Sequence, residues 1–485
     1  MPKASRIVSV LLLVLTTSAC TANAQTSAAE RAFEAAKKNP PALRAFLYRM
    51  PKGGDLHMHL SGAVYAENFI DAAAHDLICI DKTKMAFVAA KASTRSMPPK
   101  PVCGDKLVPA SAALHDQDLY DALVNNFSMR SWVPTPGFSG HDQFFATFDK
   151  FGAAGDLHTG RWLDEVAARA AAQNEQYLEI MNTPDLGIAL QLAQAIHYTG
   201  DVAAARAAIK PGDLQRAVAA DRAEFEAAEA DRIARGECNS AHPKPQCNVQ
   251  VRYLFQVLRA FTPEQVFTQT LIGFELAKQY PKVVGINFVQ PEDSYASMSQ
   301  YDMEMKMVGQ LHTLYPDVHI TLHAGELAFG MVPPEGLRFH IREAVEVAHA
   351  ERIGHGVDIM YEDDADGLLR EMAAKHIMVE INLTSNDVIL GIKGANHPLA
   401  SYRAAHVPFA LSTDDEGVSR IDLTNEYMRA VLEQNLSYRD LKQSAHNSIE
   451  YSFLAPADKA AALRELDHRV RAFEAEFGST KAGKR

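Results

Sequence analysis

The chain has 485 residues, of which 47% are hydrophobic and 22% charged, and its formal net charge is −12. These proportions are those of a globular protein and exclude a disordered or low-complexity chain. Lys and Arg are scattered along the sequence, which excludes the basic stripe of a nucleic-acid-binding protein. The length suits one large barrel with insertions, or two to three average domains.

Residues 1–24 have the pattern of an export signal. Lys3 and Arg6 precede an apolar run, 7–15, that is too short to span a bilayer and is followed by small residues. Two cleavage sites remain open: before Cys20, which would leave a lipid anchor on that cysteine, or after Ala24. We expect an exported protein, periplasmic or secreted and without a membrane span, with 25–485 as a single domain.

Apart from Cys20, the chain has four cysteines. An even number of cysteines in an oxidising compartment indicates disulfides. We predict that Cys79 pairs with Cys103 and that Cys238 pairs with Cys247. The second pair brackets a turn-rich stretch that a short bridge can close. The alternative is four unpaired, buried thiols.

Short apolar runs alternate with helix-length segments along the chain. The predicted strands are 55–60, 176–181, 249–258, 283–289, 319–323, 352–355, 377–383 and 408–412. This alternation predicts an α/β fold, a (β/α)8 TIM barrel with a closed parallel sheet. The first two spacers are far longer than usual connections, so we predict helical insertions at about 62–175 and 186–248 that cap the barrel mouth.

Helical patterns occupy the spacers in chain order. The first insertion holds predicted helices at 115–130 and 142–151, and the second is an Ala-rich helical stretch, 186–235. Three spacer helices follow at 262–280, which begins at a Thr-Pro-Glu cap, and at 301–315 and 338–350. The tail, 441–477, is predicted to form two amphipathic helices that close the barrel.

Ionisable side chains follow four of the predicted strands. His57 and His59 lie two apart on the first strand and therefore share a face, although a chain with 19 histidines supplies such a pair by chance. His323 ends the fifth strand, and an Asp pair follows the eighth. Because the strand ends meet at one mouth, three imidazoles and one carboxylate are predicted to bind a divalent ion, for which zinc with an open water position is suited.

Each cluster taken singly also has a structural explanation. Glu326 could be a first-turn helix acid, His355 a buried structural histidine, and Asp414 with Asp415 a helix N-cap. Four clusters at four strand ends of one barrel instead favour a catalytic site.

The motifs resemble, in the same order, the signature set of the adenosine deaminase family. They are His-Met-His (57–59), His-Ala-Gly-Glu (323–326), Arg-Ile-Gly-His-Gly (352–356) and Ser-Thr-Asp-Asp (412–415). Stretches 50–57, 283–288 and 447–452 are similar to the adenosine deaminase-related growth factor branch, whose members are exported. The resemblance covers about 40–477 in outline.

The resemblance implies one Zn²⁺ per chain, and the implied ligands are His57, His59, His323 and Asp414. It implies catalytic roles for Glu326 at N1 of a purine, for His355 beside the water that attacks C6, and for Asp415 at N7. The implied reaction is hydrolytic deamination of adenosine or 2′-deoxyadenosine to the inosine product and ammonia. The resemblance also allows a homodimer that forms through the first insertion.

The substrate end of the site departs from the common family pattern. Ser61 stands where an Asp holds the ribose 5′-hydroxyl, and it lacks the charge that strengthens such a bond. Gln290 stands where a Gly N–H contacts purine N3, and Glu416 where Pro is frequent. The predicted substrate-binding residues are Ser61, Gln290, Asp415 and Gly325, the last through its backbone N–H.

Two alternatives remain at this stage. One is a deaminase of another aminopurine, such as an N6-modified nucleoside, a free base or a nucleotide; a nucleotide is the least favoured because no Arg/Lys cluster stands near the motifs. The other is a zinc-stabilised extracellular binding or signalling protein with a vestigial site. Intact Glu326 and His355 favour the enzyme, because a structural zinc requires no nearby acid or base.

Overall fold

The computed structural model describes residues 27–92, 101–155 and 158–479. The predicted signal at 1–24, with both cleavage sites and Cys20, lies outside these residues. Within the described ranges, no helix combines the length and the apolar character that crossing a bilayer requires.

Eight parallel strands form one sheet whose spatial order is the chain order. The strands are β1 Gly53–His59, β2 Glu175–Asn182, β3 Gln250–Leu258, β4 Val283–Val289, β5 His319–Ala324, β6 Arg352–His355, β7 Met378–Ile381 and β8 Phe409–Leu411. The residues after β8 return to β1, where Asp414 N–H donates to His57 O at 2.9 Å and His59 N–H donates to Asp414 O at 3.1 Å. The predicted (β/α)8 barrel is confirmed, with strand ends within two residues of the predicted ones.

Helices surround the strands because the apolar strands need cover on their outer face. From β3 onward they are Pro263–Gln279, Tyr295–Leu314, His340–Glu346, Ala365–Lys375, Leu383–Leu390, Leu399–Ala404, Glu416–Ser419 and Leu423–Leu432. The first has the predicted start, a capping box between Thr262 and Gln265. The second begins six residues before the predicted position because Ser294 caps it. The third ends early, and His349 adopts a left-handed φ of 60° just beyond it.

The first insertion is not purely helical, which corrects the prediction. Its helices are Leu60–Ala63, Ala66–His75, Gln117–Asn126, Gly140–Gly155 and Thr159–Ala172. Between them lie a three-stranded antiparallel sheet of Ile78–Asp81, Ala86–Ala89 and Leu107–Pro109, and a short pair, Lys91–Ala92 with Pro101–Val102. The predicted disulfide between Cys79 and Cys103 is confirmed. It links the strand Ile78–Asp81 to the residue that follows the short pair. The pairing of the strands with one another is why apolar residues here form strands.

The second insertion forms three helices, Leu186–Ala193, Val202–Ala208 and Pro211–Arg235, where one helical stretch was predicted. Gly200, at φ +94°, and the N-cap Asp201 separate the first two helices. Pro211 begins the third, where proline is tolerated. The disulfide between Cys238 and Cys247 is also confirmed.

The amino ends of the strands are covered by helices from both ends of the described chain. The helices Ala28–Ala36 and Pro40–Arg49, which the sequence patterns did not predict, pack with the two predicted tail helices, Tyr438–Glu450 and Pro456–Ser479. Aromatic contacts join them, with Phe46 5.7 Å from Phe33, 5.8 Å from Tyr438 and 5.2 Å from Phe473. Short 3-10 helices complete the described fold at Ala110–His115, Pro245–Asn248, Pro334–Leu337, Ile359–Tyr361 and Gly394–Asn396. This packing leaves the carboxyl ends of the strands for the site.

Candidate active site

Four side chains from three strand ends meet at the carboxyl mouth of the barrel. The Nε2 atom of His323 lies 3.1 Å from Nε2 of His57 and 3.2 Å from Nε2 of His59. The Oδ1 atom of Asp414 lies 3.1 Å from Nε2 of His59 and 3.5 Å from Nε2 of His57. All four residues are buried. The structure therefore brings together the predicted metal ligands.

The three imidazoles are oriented by oxygen acceptors behind them. The Nδ1 atoms of His57, His59 and His323 lie 2.6 Å from Glu380 Oε2, 2.8 Å from Gln256 Oε1 and 2.9 Å from Asn287 Oδ1, respectively. An oxygen acceptor fixes the proton on Nδ1, so a neutral ring carries its lone pair on Nε2. Three nitrogen lone pairs and a carboxylate oxygen therefore face a common point.

This donor set fits a transition metal ion. Ligand atoms about 2.0–2.1 Å from a tetrahedral zinc lie roughly 3.4 Å apart, close to the separations seen here. Imidazole nitrogen suits zinc and its neighbours, whereas calcium and magnesium prefer oxygen. Ligand atoms of His57, His323, His355 and Asp414 all lie within 4.8 Å of one another, as do those of His59, Asp414 and Asp415. The cluster is thus wider than the predicted ligand set.

Glu326 lies just after β5 with its carboxyl group beside this cluster. Burial, and then the charges of Asp414 and Glu292, raise the pKa of Glu326 well above its usual range. Its Oε1 atom has no hydrogen-bond partner among the described residues and lies 3.6 Å from Nδ1 of His355. The backbone is held from behind, because the N–H groups of Gly325 and Glu326 donate to Glu292 at 3.0 and 2.7 Å. Burial and the neighbouring carboxylates therefore favour the neutral form of Glu326, and its backbone holds the side chain beside the cluster.

Asp415 is a second buried carboxyl group with a raised pKa, again chiefly because of burial. Its space is provided by Gly62, where a Cβ atom would lie 1.5 Å from Asp415 Oδ1. That Oδ1 atom has no partner within the described part of the chain. The glycine after β1 is therefore needed for the position of Asp415.

His355 ends β6 in a left-handed conformation, with φ 68°. It is fully buried, and burial lowers its pKa to about 3, so the ring is neutral. Its Nε2 atom lies 3.9 Å from Asp414 Oδ2. The side chain therefore stands at the edge of the ligand cluster.

A cavity of about 320 Å³ opens at the cluster. His59, Glu326 and Asp415 line its polar end, and Phe144, Phe145 and Phe148 line part of its apolar wall. The phenylalanines come from helix Gly140–Gly155, so the first insertion supplies part of the cavity wall. A neighbouring cavity of about 580 Å³ shares Ser61, Gln256 and Leu258 with the first. No Lys or Arg of the described chain is among the residues that line either cavity.

The predicted substrate-binding residues differ in their placement. Ser61 lines both cavities. Gln290 lines the first with a left-handed φ of 86°, and its Oε1 accepts from Ala260 N–H at 2.8 Å. Gly325 does not line that cavity, and its N–H is used by Glu292. A purine contact from Gly325, as the resemblance implies, would have to replace that bond.

Glu416, the third departure from the family pattern, has a structural partner. Arg169 Nε donates to Glu416 Oε1 at 2.7 Å, and the same guanidinium donates to Ala63 O at 2.6 Å. The pair ties the loop after β8 to the segment after β1. The charge at this position is therefore compensated inside the protein.

Sequence reasoning missed the residues that orient the ligands. Glu380, Asn287 and Gln256 each lie inside an apolar strand, on β7, β4 and β3, respectively. A polar residue within a mostly apolar strand is costly to bury unless it has a partner. This signal was available for Glu380 and Asn287, and was weaker for Gln256 because its strand also carries Arg252. Their partners could not be identified because they are distant in the sequence.

A family model for adenosine deaminase matches residues 158–469, and the chain belongs to the adenosine deaminase family. A curated adenosine deaminase from Clostridium perfringens is 32% identical over 168 residues, which is 34% of this chain and 43% of that protein. The chain spans less than half the length of the curated relatives it matches. The resemblance to the growth factor branch stays a prediction, because these matches do not distinguish branches.

Two solved structures share the fold at low sequence identity. The N6-mAMP deaminase from Arabidopsis is 21% identical with a TM-score of 0.55, over 87% of this chain and 99% of that one. An amidohydrolase from Burkholderia ambifaria, solved with bound zinc, is 18% identical with a TM-score of 0.53, over 89% of this chain and 95% of that one. Both confirm the barrel.

Proposed function

We propose that the chain is a zinc-dependent deaminase that hydrolyses adenosine and 2′-deoxyadenosine to inosine and 2′-deoxyinosine with release of ammonia. One observation carries the proposal: a neutral carboxyl group, Glu326, stands beside three imidazoles whose Nε2 atoms converge with Asp414. The curated relatives named adenosine deaminase and the zinc in the Burkholderia neighbour support it.

The side chains supply the proton chemistry that deamination of a purine needs. Glu326 keeps its proton and can donate to ring N1, which makes C6 more electrophilic. Asp415, with its raised pKa, can donate to N7 in the same way. When bound, zinc supplies a Lewis acid that lowers the pKa of water towards neutrality. Addition of water at C6 and cleavage of the C6–N bond then release ammonia.

The cavities favour a nucleoside over a nucleotide. A phosphate group is held by Arg or Lys in most sites, and neither cavity has one among the described lining residues. Asp149 and Asp185 add negative charge to the walls. An N6-modified nucleoside or another aminopurine is the second candidate, because Ser61 departs from the family pattern and the Arabidopsis neighbour is named for N6-mAMP, an N6-modified nucleotide.

Absorbance loss near the adenosine maximum, measured with zinc-loaded protein, tests the proposal. The panel is adenosine, 2′-deoxyadenosine, adenine, AMP and N6-methyladenosine, and the released amine is measured in parallel as ammonia, or as methylamine for N6-methyladenosine. We expect the highest kcat/KM with the two unmodified nucleosides. A preference for N6-methyladenosine selects the second candidate, and no turnover of any compound despite bound zinc favours the binding-protein alternative.

We also propose that the protein is exported, and the two disulfides support an oxidising compartment. Mass spectrometry of the mature N-terminus in each cell fraction separates lipidation at Cys20 from cleavage after Ala24. The homodimer option is tested by the molar mass in solution.

A further inference from the structure

A chain of hydrogen bonds leads from a backbone amide to His355. Leu399 N–H donates to Nδ1 of His397 at 3.2 Å, and Nε2 of His397 lies 3.0 Å from Oδ1 of Asn386. Nδ2 of Asn386 then lies 2.9 Å from Nδ1 of His355. The three side chains are buried, with 2%, 0% and 0% exposure for His397, Asn386 and His355. These hydrogen bonds are therefore shielded from solvent.

The backbone N–H of Leu399 fixes the donor and acceptor in each of these hydrogen bonds. A backbone N–H can only donate, so Nδ1 of His397 accepts. Burial, and then the charge of Arg429, lower the pKa of His397 to about 3, so the ring is neutral and carries its proton on Nε2. That proton is donated to Oδ1 of Asn386, which turns the amide nitrogen of Asn386 towards His355.

The nitrogen of His355 that faces this amide must therefore accept. A second amide nitrogen, Nδ2 of Asn382, lies 3.4 Å from the same Nδ1 atom. A proton on Nδ1 would oppose the amide donor of Asn386, whose orientation His397 fixes. The neutral ring therefore carries its proton on Nε2, the atom that faces Asp414 and has no partner among the described residues.

We propose that Asn386 and His397 are positioning residues that hold His355 as the tautomer protonated on Nε2. His355 then begins the reaction as a hydrogen-bond donor to the attacking water, because an imidazole that acts as a base at Nε2 needs its lone pair there. The catalytic consequence rests on the proposed function, whereas the tautomer itself does not.

Nitrogen NMR of zinc-loaded protein labelled with 15N-histidine measures the tautomer directly. A His355→Gln sample, used only for assignment, identifies the His355 resonances. We expect an unprotonated Nδ1 and a protonated Nε2 in the wild-type protein. A protonated Nδ1 would overturn the proposal. The measurement needs no substrate, so it decides the tautomer even if the protein deaminates nothing.

Asn386→Asp reverses the bond, because a carboxylate can only accept from Nδ1 of His355. We expect the NMR pattern to invert and kcat to fall by about 100-fold or more, the usual worth of a positioned acid or base, while KM changes by less than about threefold. The matched control is Asn396→Asp, which makes the same charge change at an exposed position next to His397 and leaves both parameters unchanged. Unchanged kcat in Asn386→Asp would contradict the proposal.

A second pair of variants covers the case in which Asn386→Asp fails to fold. His397→Gln can still accept from Leu399 and donate to Asn386, whereas His397→Phe can do neither. We expect His397→Gln to keep kcat within about tenfold of the wild type. We expect His397→Phe to lower kcat by about as much as Asn386→Asp does. If both variants lower the melting temperature but keep equal kcat values, the role of His397 is structural and the proposal fails.

Discussion

Glu380 gives the sharpest test of the proposed zinc site. It is fully buried and accepts three hydrogen bonds, from Nδ1 of His57 at 2.6 Å, from Thr321 Oγ1 at 2.9 Å and from Arg352 Nε at 2.6 Å. Glu380→Gln keeps the shape but removes the charge that orients His57. Loss of such a partner behind a metal ligand weakens metal binding by about 10- to 100-fold, or roughly 1.4–2.7 kcal/mol.

The matched control is Glu179→Gln, because Glu179 is the other carboxylate on Arg352. It accepts from the Nη2 atom of Arg352 at 2.6 Å and from Phe453 N–H at 2.7 Å, and among the described residues none of its hydrogen bonds reaches a proposed metal ligand. Each variant leaves Arg352 with one carboxylate, so each should lose about 1–3 kcal/mol of unfolding free energy.

Zinc affinity is measured by competition with a chromophoric chelator, and stability by urea unfolding of the zinc-loaded protein. We expect both variants to unfold more readily and only Glu380→Gln to bind zinc more weakly. Equal zinc affinities in the two variants would refute the reasoning, since His57 would then not depend on Glu380.

Three further predictions concern single side chains. Glu326→Gln should lower kcat by about 100- to 10,000-fold with the zinc content unchanged, because Gln cannot transfer a proton; retained turnover would remove Glu326 from the chemistry. Gly62→Ala should displace the carboxyl group of Asp415 and lower kcat/KM, whereas Gly152→Ala, whose Cβ meets nothing within 4 Å, should not. Glu304 is buried, has no partner for either oxygen among the described residues, and has a pKa raised to about 8. Since the folded state keeps a proton that the unfolded chain releases near pH 4.5, the free energy of unfolding should fall between pH 4.5 and 8. Urea unfolding at both pH values should show a smaller fall in the free energy of unfolding for Glu304→Met than for the wild type. An equal fall would show that groups other than Glu304 cause the pH dependence.

The sequence predicted the parts of the site that are local in the chain. The spacing of His57 and His59 and the polar ends of the apolar runs were sufficient, because a barrel brings strand ends together whatever lies between them. The small sheet around Cys79 was missed because its strands are short and are defined by pairing with one another. Glu380 was missed for a related reason: its role depends on His57, which is distant in the sequence and adjacent only in the folded barrel.

The arrangement around Glu326 explains how a carboxyl group can keep its proton beside a cation. A divalent ion at the histidine cluster would by itself favour the ionised form of Glu326. Two features oppose this: Glu326 is buried, and Glu292 places a negative charge directly behind its backbone. Although burial alone would raise its pKa, hydrogen bonding to His340 helps to lower the pKa of Glu292 to about 2, so Glu292 stays ionised. Glu292 therefore fixes the position of Glu326 through two amides and favours the protonated form that the proposed donation to N1 requires.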